Sequence, residues 1–352
     1  MQSQQGFAPK LIEWYNFNKR DLPWRNTQDP FKIWMSEIIL QQTRVQQGLP
    51  YYERFVAAFA SVTDLANAPL DDVLRLWQGL GYYSRARNMH QAATYIRDDL
   101  AGIFPNSFEN LLQMKGVGRY TAAAIASFAY NEQVPVVDGN VQRLLARIFG
   151  VSDDIMHPKT QKIFETIANQ HIPKENPGIF NQAIMEFGSL YCTPSKPDCE
   201  SCIFNSICFA HKHQMASELP VKLKKTKVRK RFFQYAIFRN SGRLALGQRL
   251  HKDIWNGLFE FYLVESDTEL TDDQMNQQLE AEGLTHFKLV NVSDSRTHIL
   301  SHQRLATKFY IYQIENSEML EKKGLSFYNE VEVENLAKPV LLVNYLEQEK
   351  LF

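Results

Sequence analysis

Two acidic residues, Glu37 and Asp138, occupy sequence surroundings of opposite polarity. The predicted helical segment 31–43 places Glu37 among apolar side chains, namely Ile33, Trp34, Met35, Ile38, Ile39 and Leu40. Burial there disfavours the ionised carboxyl and raises its pKa, which suits a general acid near neutral pH. Asp138 precedes a helix whose first N–H groups favour its anion. The pair therefore indicates an acid and a stabilising carboxylate. Taken singly, Glu37 fits a helix-surface acid better and Asp138 a simple helix cap; only their joint placement favours the catalytic interpretation.

A glycine-rich turn lies shortly before Asp138. The segment reads KGVGRYTAAAIASFAYNEQVPVVDGN, from Lys115 to Asn140. Gly116 and Gly118 can adopt left-handed backbone conformations, and without side chains they let backbone N–H groups approach a phosphate. Thr121 begins an alanine-rich helix. The pattern predicts a phosphate-binding hairpin between two helices, although a plain turn between packed helices has the same sequence.

All four cysteines fall in one short segment, as Cys192-x6-Cys199-x2-Cys202-x5-Cys208. Such clustering indicates a shared ligand, and four thiolates suit either zinc or an iron–sulfur cluster. Free thiols are the third alternative.

The N-terminus lacks a cationic stretch followed by an apolar one, so we expect a cytoplasmic protein without a signal peptide and without disulfides.

Composition places few limits on the partner. Over 352 residues the formal net charge is zero, which alone does not indicate a nucleic-acid ligand. The charge is unevenly distributed, because seven cationic residues lie between Lys222 and Arg231, whereas 265–282 is predominantly acidic. The basic run fits an interdomain linker, a DNA contact or both. No stretch is apolar enough to span a bilayer, so we expect no membrane partner.

Hydrophobic periodicity divides the chain in two. Apolar residues recur at helical spacing up to Ala210, and alternation begins at Phe232. We predict an all-α domain at 1–219, a basic linker at 220–230 and an α+β domain at 231–352. In the latter we expect a hairpin turning at Ser241-Gly242, strands at 287–292 and 307–314, and helices near 272–282 and 338–349.

The helix, glycine hairpin and helix, followed by VPVVDGN, resemble the helix-hairpin-helix superfamily of base-excision DNA glycosylases. Relatives that also cleave the strand carry a lysine where this chain has Tyr120, and Tyr120 cannot form a Schiff base. Glu37 in WMSEIILQQT, Tyr120, Asp138, LWQGLGYYSRARN, FNQAIMEFGSLYC and the second domain together resemble MutY-type adenine DNA glycosylases. The resemblance covers essentially the whole chain.

That resemblance implies a monomeric enzyme that excises adenine mispaired with 8-oxoguanine or guanine in double-stranded DNA. Glu37 would protonate adenine N7, and Asp138 would stabilise the cationic sugar, as in a retaining glycosidase. The resemblance also implies that Tyr120 and Asn140 position these groups, and that the flipped adenine enters a pocket lined by Trp24, Arg25, Gln182 and Glu186. Gln42 and Tyr82, near Leu40, would fill the space that the base leaves in the stack, and Gly116 and Gly118 would contact phosphate. A [4Fe–4S] cluster is implied on Cys192, Cys199, Cys202 and Cys208.

The second domain resembles the Nudix-related domain of the same family, most clearly at WNGLFEF, residues 255–261. A hydrolytic Nudix domain needs a later acidic helix of the REx2EE type to hold magnesium, and none follows. The resemblance implies recognition of 8-oxoguanine by a loop that commonly reads Phe-Ser-His. Here the aligned residues are Leu300, Ser301 and His302. Leucine replaces the usual phenylalanine, so this apolar side chain is aliphatic and cannot stack on a base as an aromatic ring does.

Two other functions remain open. A thymine-mismatch glycosylase of the same superfamily can also carry tyrosine at the position of Tyr120. A non-catalytic iron–sulfur protein that binds DNA would share the cysteine segment and the hairpin. Glu37, Asp138 and the Nudix-like domain favour the adenine enzyme over both.

Overall fold

A computed structural model of the protein describes residues 6–223, 228–315 and 318–352. The chain divides into two compact units. The first comprises Met1–Asn67 and Asn88–Lys225, and the second Ala68–Arg87 and Thr226–Phe352. Part of the predicted basic linker, residues 224–227, lies outside the described residues. The sequence-based domain limits stay a prediction, and they did not anticipate that residues 68–87 group with the C-terminal chain.

The first unit is helical, as predicted up to Ala210. Its helices are α1 (Phe7–Asn18), α2 (Pro30–Leu40), α3 (Val45–Ala58), α4 (Val62–Asn67), most of α6 (Ser84–Asp99), α7 (Phe108–Leu111), α8 (Arg119–Tyr130), α9 (Gly139–Phe149), α10 (Pro158–His171), α11 (Pro177–Leu190) and α12 (Phe209–Lys212), with a 3₁₀ turn at Pro23–Arg25. Side chains begin several of them; Asp29 caps α2 by accepting the Phe31 N–H at 2.9 Å. A core from α1, α9, α10 and α11 holds these elements together.

Of the two glycines in the hairpin before α8, only Gly116 adopts the predicted left-handed backbone conformation. Gly116 has a φ of 79°, and a Cβ there would come within 2.7 Å of the Asn88 Cβ. Gly118 is extended instead, with a φ of −90°, so its conformation does not require glycine. A Cβ on Gly118 would meet nothing within 4 Å. Its missing side chain therefore keeps open space in front of the first N–H groups of α8, which have no partner within the helix.

The described residues of the second unit form a mixed sheet of eight strands. These are β1 (Arg229–Asn240), β2 (Arg243–Gln248), β3 (Phe259–Glu260), β4 (Tyr262–Ser266), β5 (Phe287–Val292), β6 (Arg296–Ile299), β7 (Gln303–Ile314) and β8 (Leu325–Tyr328). The path β3-β2-β1-β7-β5 forms its centre, with β1 parallel to β7 from Arg229↔Gln303 onward. The predicted hairpin is confirmed, since Asn240 pairs with Arg243 across the turn.

Helices cover both faces of this sheet, which explains why β1 is buried along most of its length. The helices assigned to the second unit are α13 (Asp272–Ala281), α14 (Glu318–Lys322), α15 (Glu330–Asn335), α16 (Val340–Glu349) and α5 (Leu70–Leu76), and two of them show this packing. Met275 and Leu279 of α13 share a core with Phe238. On the other face Tyr345 of α16 stacks on Phe309 at 3.7 Å. The predicted helices and strands of this domain are confirmed.

Residues 68–87 belong to the second unit through specific hydrogen bonds. The Lys338 N–H donates to the Gln78 side chain at 3.0 Å, and the Arg87 guanidinium donates to the Asn256 carbonyl. These bonds join residues far apart in the sequence, so no local pattern reveals them. Separately, none of the helices in the described part of the chain is long and apolar enough to cross a membrane.

Candidate active site

One cavity of about 430 Å³ in the first unit is lined by all the predicted catalytic and adenine-pocket residues. Its lining includes Trp24, Arg25, Glu37, Leu40, Tyr120, Asp138, Asn140, Gln182 and Glu186. They arrive from α2, α8, α9, α11 and the turn before α2. Gln42 is not among the lining residues; it is exposed just beyond α2, in left-handed backbone with a φ of 55°. Tyr82 lies in the second unit.

Glu37 is a buried carboxyl with one direct partner. It lies on α2 with 7% of its surface exposed, and the Tyr120 hydroxyl donates to its Oε2 at 2.8 Å. The pKa of Glu37 is raised to about 7, chiefly by burial; the hydrogen bond from Tyr120 lowers this pKa, and the nearby Asp138 carboxylate raises it. The carboxyl is therefore partly protonated at neutral pH, as the sequence predicted for a general acid.

Asp138 caps α9 and is held on both carboxylate oxygens. Its Oδ1 accepts the Val141 N–H at 2.7 Å, and its Oδ2 accepts the Asn140 amide at 2.8 Å. The prediction that this environment lowers the pKa of Asp138 is wrong. Burial raises that pKa, and the hydrogen bonds from Val141 and Asn140 only partly offset the effect. The helix cap was visible in the sequence, whereas the burial around it was not.

Two arginines, Arg20 and Arg25, bind the Glu186 carboxylate, and only Arg25 was predicted from the sequence. Arg25 binds both carboxylate oxygens at 2.8 and 2.6 Å, and Arg20 binds both at 2.9 and 2.5 Å. Burial alone would raise the pKa of Glu186, but the hydrogen bonds from Arg25 and Arg20 bring it to about 2. Glu186 is thus a fixed anion that orients Arg25 at the cavity wall. Arg20 was missed because it lies 166 positions from Glu186, and no local pattern links the two.

Gln182 lies one turn before Glu186 on α11, as its spacing predicted. The Tyr15 hydroxyl donates to its side-chain oxygen at 2.6 Å, which fixes the orientation of the amide. Tyr15 was not predicted as part of the site. An oriented amide at the wall of a cavity can distinguish hydrogen-bond donors from acceptors on a bound base.

Arg143 was also missed, and it links the Asp138 turn to the cysteine segment. Its guanidinium donates to the Asn140 side-chain oxygen at 3.0 Å, to the Gly188 carbonyl at 2.6 Å and to the Cys192 carbonyl at 2.8 Å. Close packing requires glycine at 188, since a Cβ there would lie 2.8 Å from the Asn140 carbonyl oxygen. Asn140 is consequently held from two sides.

The four cysteines line one small cavity of the first unit and form no disulfide. Arg147 Nη1 lies 3.4 Å from the Cys192 sulfur, and the Phe204 N–H donates to the Cys202 sulfur at 3.4 Å. Within the described ranges, no group of three or more His, Cys, Asp or Glu side chains is placed to hold a metal ion. The donor chemistry nevertheless fits an anionic iron–sulfur cluster, because four cysteine sulfurs line one cavity with the Arg147 guanidinium and the Phe204 N–H.

A second cavity, of about 410 Å³, lies in the second unit and contains the predicted recognition loop. Leu300, Ser301 and His302 line it together with Tyr82. The Tyr82 hydroxyl donates a hydrogen bond to the Ser301 hydroxyl. Tyr82 has a φ of 47°, a left-handed conformation that is strained for an aromatic residue. The structure thus joins two residues that the sequence assigned separately, one to stacking and one to lesion recognition. We call this second cavity the Ser301 cavity.

Comparison with known proteins agrees with this geometry. The profile of the HhH-GPD superfamily base excision DNA repair protein matches residues 35–170, and that of the NUDIX domain matches 234–348. The adenine DNA glycosylase of Buchnera aphidicola subsp. Acyrthosiphon pisum is 36% identical over 256 residues, or 72% of this chain and 73% of that protein. The chain belongs to the adenine DNA glycosylase family. The adenine DNA glycosylase of Homo sapiens is 39% identical over 60% of this chain and 41% of its own length.

Two solved structures share the fold over about three-fifths of this chain. A thermostable thymine-DNA glycosylase has 27% identity and a TM-score of 0.55, covering 59% of this chain and 95% of its own. A non-covalent endonuclease III–DNA complex has 23% identity and a TM-score of 0.52, covering 61% and 99%. These findings confirm the predicted family, the multidomain α and α+β fold, and the enzyme class, a DNA glycosylase of base excision repair.

Proposed function

We propose that this member of the adenine DNA glycosylase family hydrolyses the N-glycosidic bond of adenine opposite 8-oxoguanine or guanine in double-stranded DNA. It acts as a monomer in the cytoplasm and leaves the strand intact. The proposal rests on one observation. Glu37, which is bound by Tyr120, and Asp138, which is bound by Asn140, line the same cavity. A purine flipped out of the duplex would enter beside both carboxyls.

The two carboxyls divide the chemistry. Protonated Glu37 donates its proton to adenine N7, so that the electron pair of the breaking C1′–N9 bond moves into a neutral leaving base. Positive charge develops at C1′, where the Asp138 anion stabilises it. Water then adds to C1′ and loses a proton to one of the two carboxylates, Glu37 or Asp138. Tyr120 and Asn140 keep the two groups in place.

The test compares duplexes that differ only in the base opposite adenine. We expect the protein to form abasic sites, revealed by alkali, with adenine opposite 8-oxoguanine and guanine but much less opposite thymine. A guanine–thymine duplex serves as the control for the rival function. Release of thymine from it would instead support a thymine-mismatch enzyme, and tight binding without any abasic site would support a non-catalytic DNA-binding protein.

Strand scission should be absent, because Tyr120 carries no amine that could form a Schiff base with C1′. Products should remain abasic until alkali is added, and borohydride should trap little protein on the DNA. Tyr120→Lys should increase trapping several-fold above that background. Efficient trapping by the unaltered protein would contradict a purely hydrolytic mechanism.

We further propose that Ser301 and His302 read the lesion base. Guanine presents an acceptor at N7, whereas 8-oxoguanine presents an N7–H donor beside a new carbonyl. The Ser301 hydroxyl can accept and donate, and the position of the Tyr82 ring beside it supports contact with a stacked base. Leu300 retains an apolar side chain for the same loop.

Combined Ser301→Ala and His302→Ala should lower the preference for 8-oxoguanine over guanine by about tenfold or more, since a good base-edge contact discriminates by roughly 1–3 kcal/mol. Single-turnover excision opposite each base gives the ratio. Ser326→Ala with His286→Ala makes the same change at exposed positions outside the Ser301 cavity and should leave the ratio unchanged. Equal losses opposite both bases would contradict a role in reading the lesion.

The cysteine segment is proposed to hold a [4Fe–4S] cluster on Cys192, Cys199, Cys202 and Cys208, which would stabilise this part of the DNA-binding unit. Protein purified in air should be yellow-brown, with about four irons per chain. Metal analysis and the visible spectrum measure this directly. Stoichiometric zinc with negligible iron would contradict the proposal.

A further inference from the structure

The Ser301 cavity contains a cation that the mechanism above does not use. Arg87 lines the cavity together with Tyr82, Ser301 and His302. Its guanidinium makes one hydrogen bond, to the Asn256 carbonyl, and among the described residues it forms no ion pair. Since a guanidinium has five N–H donors, most of its capacity remains for a ligand.

The carboxylate in the same cavity does not neutralise this cation. Asp253 also lines the cavity, but Arg231 binds it at 2.6 Å and Arg249 at 2.8 Å. Burial alone would raise the pKa of Asp253, yet these bonds bring it to about 2. Its negative charge is therefore already paired with Arg231 and Arg249. Arg87 is half-buried, and this burial lowers its pKa.

The other polar groups of the cavity are of a different kind. Ser301 and Tyr82 carry hydroxyls, which suit the edge of a neutral base. A nucleotide that presents its base to Ser301 also brings a phosphodiester, which is the anion that an unpaired guanidinium binds best. Contacts of this kind position a protein on DNA without reading the sequence.

We propose that Arg87 binds a backbone phosphate of the strand whose base enters the Ser301 cavity. The inference rests on the proposed function for the identity of that strand. Arg87 then sets the register of the base against Ser301, while Ser301 and His302 distinguish the base itself. The hydrogen bond to the Asn256 carbonyl restrains the guanidinium of this cavity-lining residue.

The experiment measures Kd against salt concentration for a duplex with 2′-fluoro-2′-deoxyadenosine opposite 8-oxoguanine, which resists excision. Arg87→Met should reduce the slope of log Kd against log salt by about one, because one fewer phosphate is neutralised. Arg87→Gln keeps a donor for the Asn256 carbonyl and should show the same loss, which separates charge from folding. Arg87→Lys should retain the slope.

Arg243→Met provides the matched control, because Arg243 is exposed in the same unit and pairs with Glu332 at 3.5 Å; its slope should be that of the unaltered protein. Excision on 8-oxoguanine and guanine duplexes is measured in parallel. An unchanged slope in Arg87→Met and Arg87→Gln would overturn the inference. So would a loss of lesion preference without a change in slope, which would make Arg87 a base contact. If the unaltered protein shows no lesion preference, the proposed function fails, while the slopes still decide the phosphate contact.

Discussion

Glu37→Gln should slow adenine excision by about two to four orders of magnitude and leave duplex affinity nearly unchanged. The amide keeps the size of the side chain and can still accept the Tyr120 hydrogen bond, but it cannot deliver a proton to the leaving base. Loss of a general acid typically costs about 10²–10⁴ in rate. Single-turnover excision and equilibrium binding separate the two effects.

An exposed glutamate gives the control for this change. Glu53→Gln on α3 alters the same functional group outside the cavity and should excise at the normal rate. Near-normal excision by Glu37→Gln would assign the proton donor elsewhere. A parallel fall in affinity and rate would instead indicate that Glu37 supports the fold of the binding surface.

Asp138→Asn should reduce excision by about 10²-fold or more with little change in folding. Asparagine is a good helix cap, so its side-chain oxygen can still accept the Val141 N–H. The negative charge beside C1′ is lost, and removing one electrostatic stabiliser of a transition state typically costs about 10²–10³ in rate. Single-turnover kinetics and thermal unfolding provide the measurements.

Asp29→Asn is the matched control, because Asp29 caps α2 in the same way and does not line the cavity. It should leave excision nearly unchanged. If both variants lose excision and stability equally, Asp138 acts through the helix cap. If Asp138→Asn excises normally, its charge has no part in the reaction.

Local sequence patterns were sufficient for the residues whose environment is made by their own neighbours. The apolar run around Glu37 predicted its burial and its raised pKa, and the spacing of Gln182 and Glu186 placed both on one helical face. The alternation beginning at Phe232 predicted the β1–β2 hairpin, because cross-strand pairing follows directly from a short turn.

Environments made by distant segments could not be predicted in this way. The helix cap at Asp138 is local, but the burial that raises its pKa comes from the packing of several helices. Tyr82 and Ser301 are 219 positions apart, and Gln78 and Lys338 are 260 apart. No periodicity or turn signal links such residues, so the grouping of residues 68–87 with the C-terminal sheet appeared only in the structure.

The pH dependence of single-turnover excision decides whether Glu37 is the acid in the site that it shares with Asp138. A general acid works in its protonated form, and the pKa of Glu37 is about 7. Excision should therefore be fast below that pH and fall about tenfold per unit as pH rises above it. The residual rate of Glu37→Gln should lack this fall. A rate that stays constant or increases from about pH 6 to pH 9 in the unaltered protein would show that Glu37 is not the proton donor.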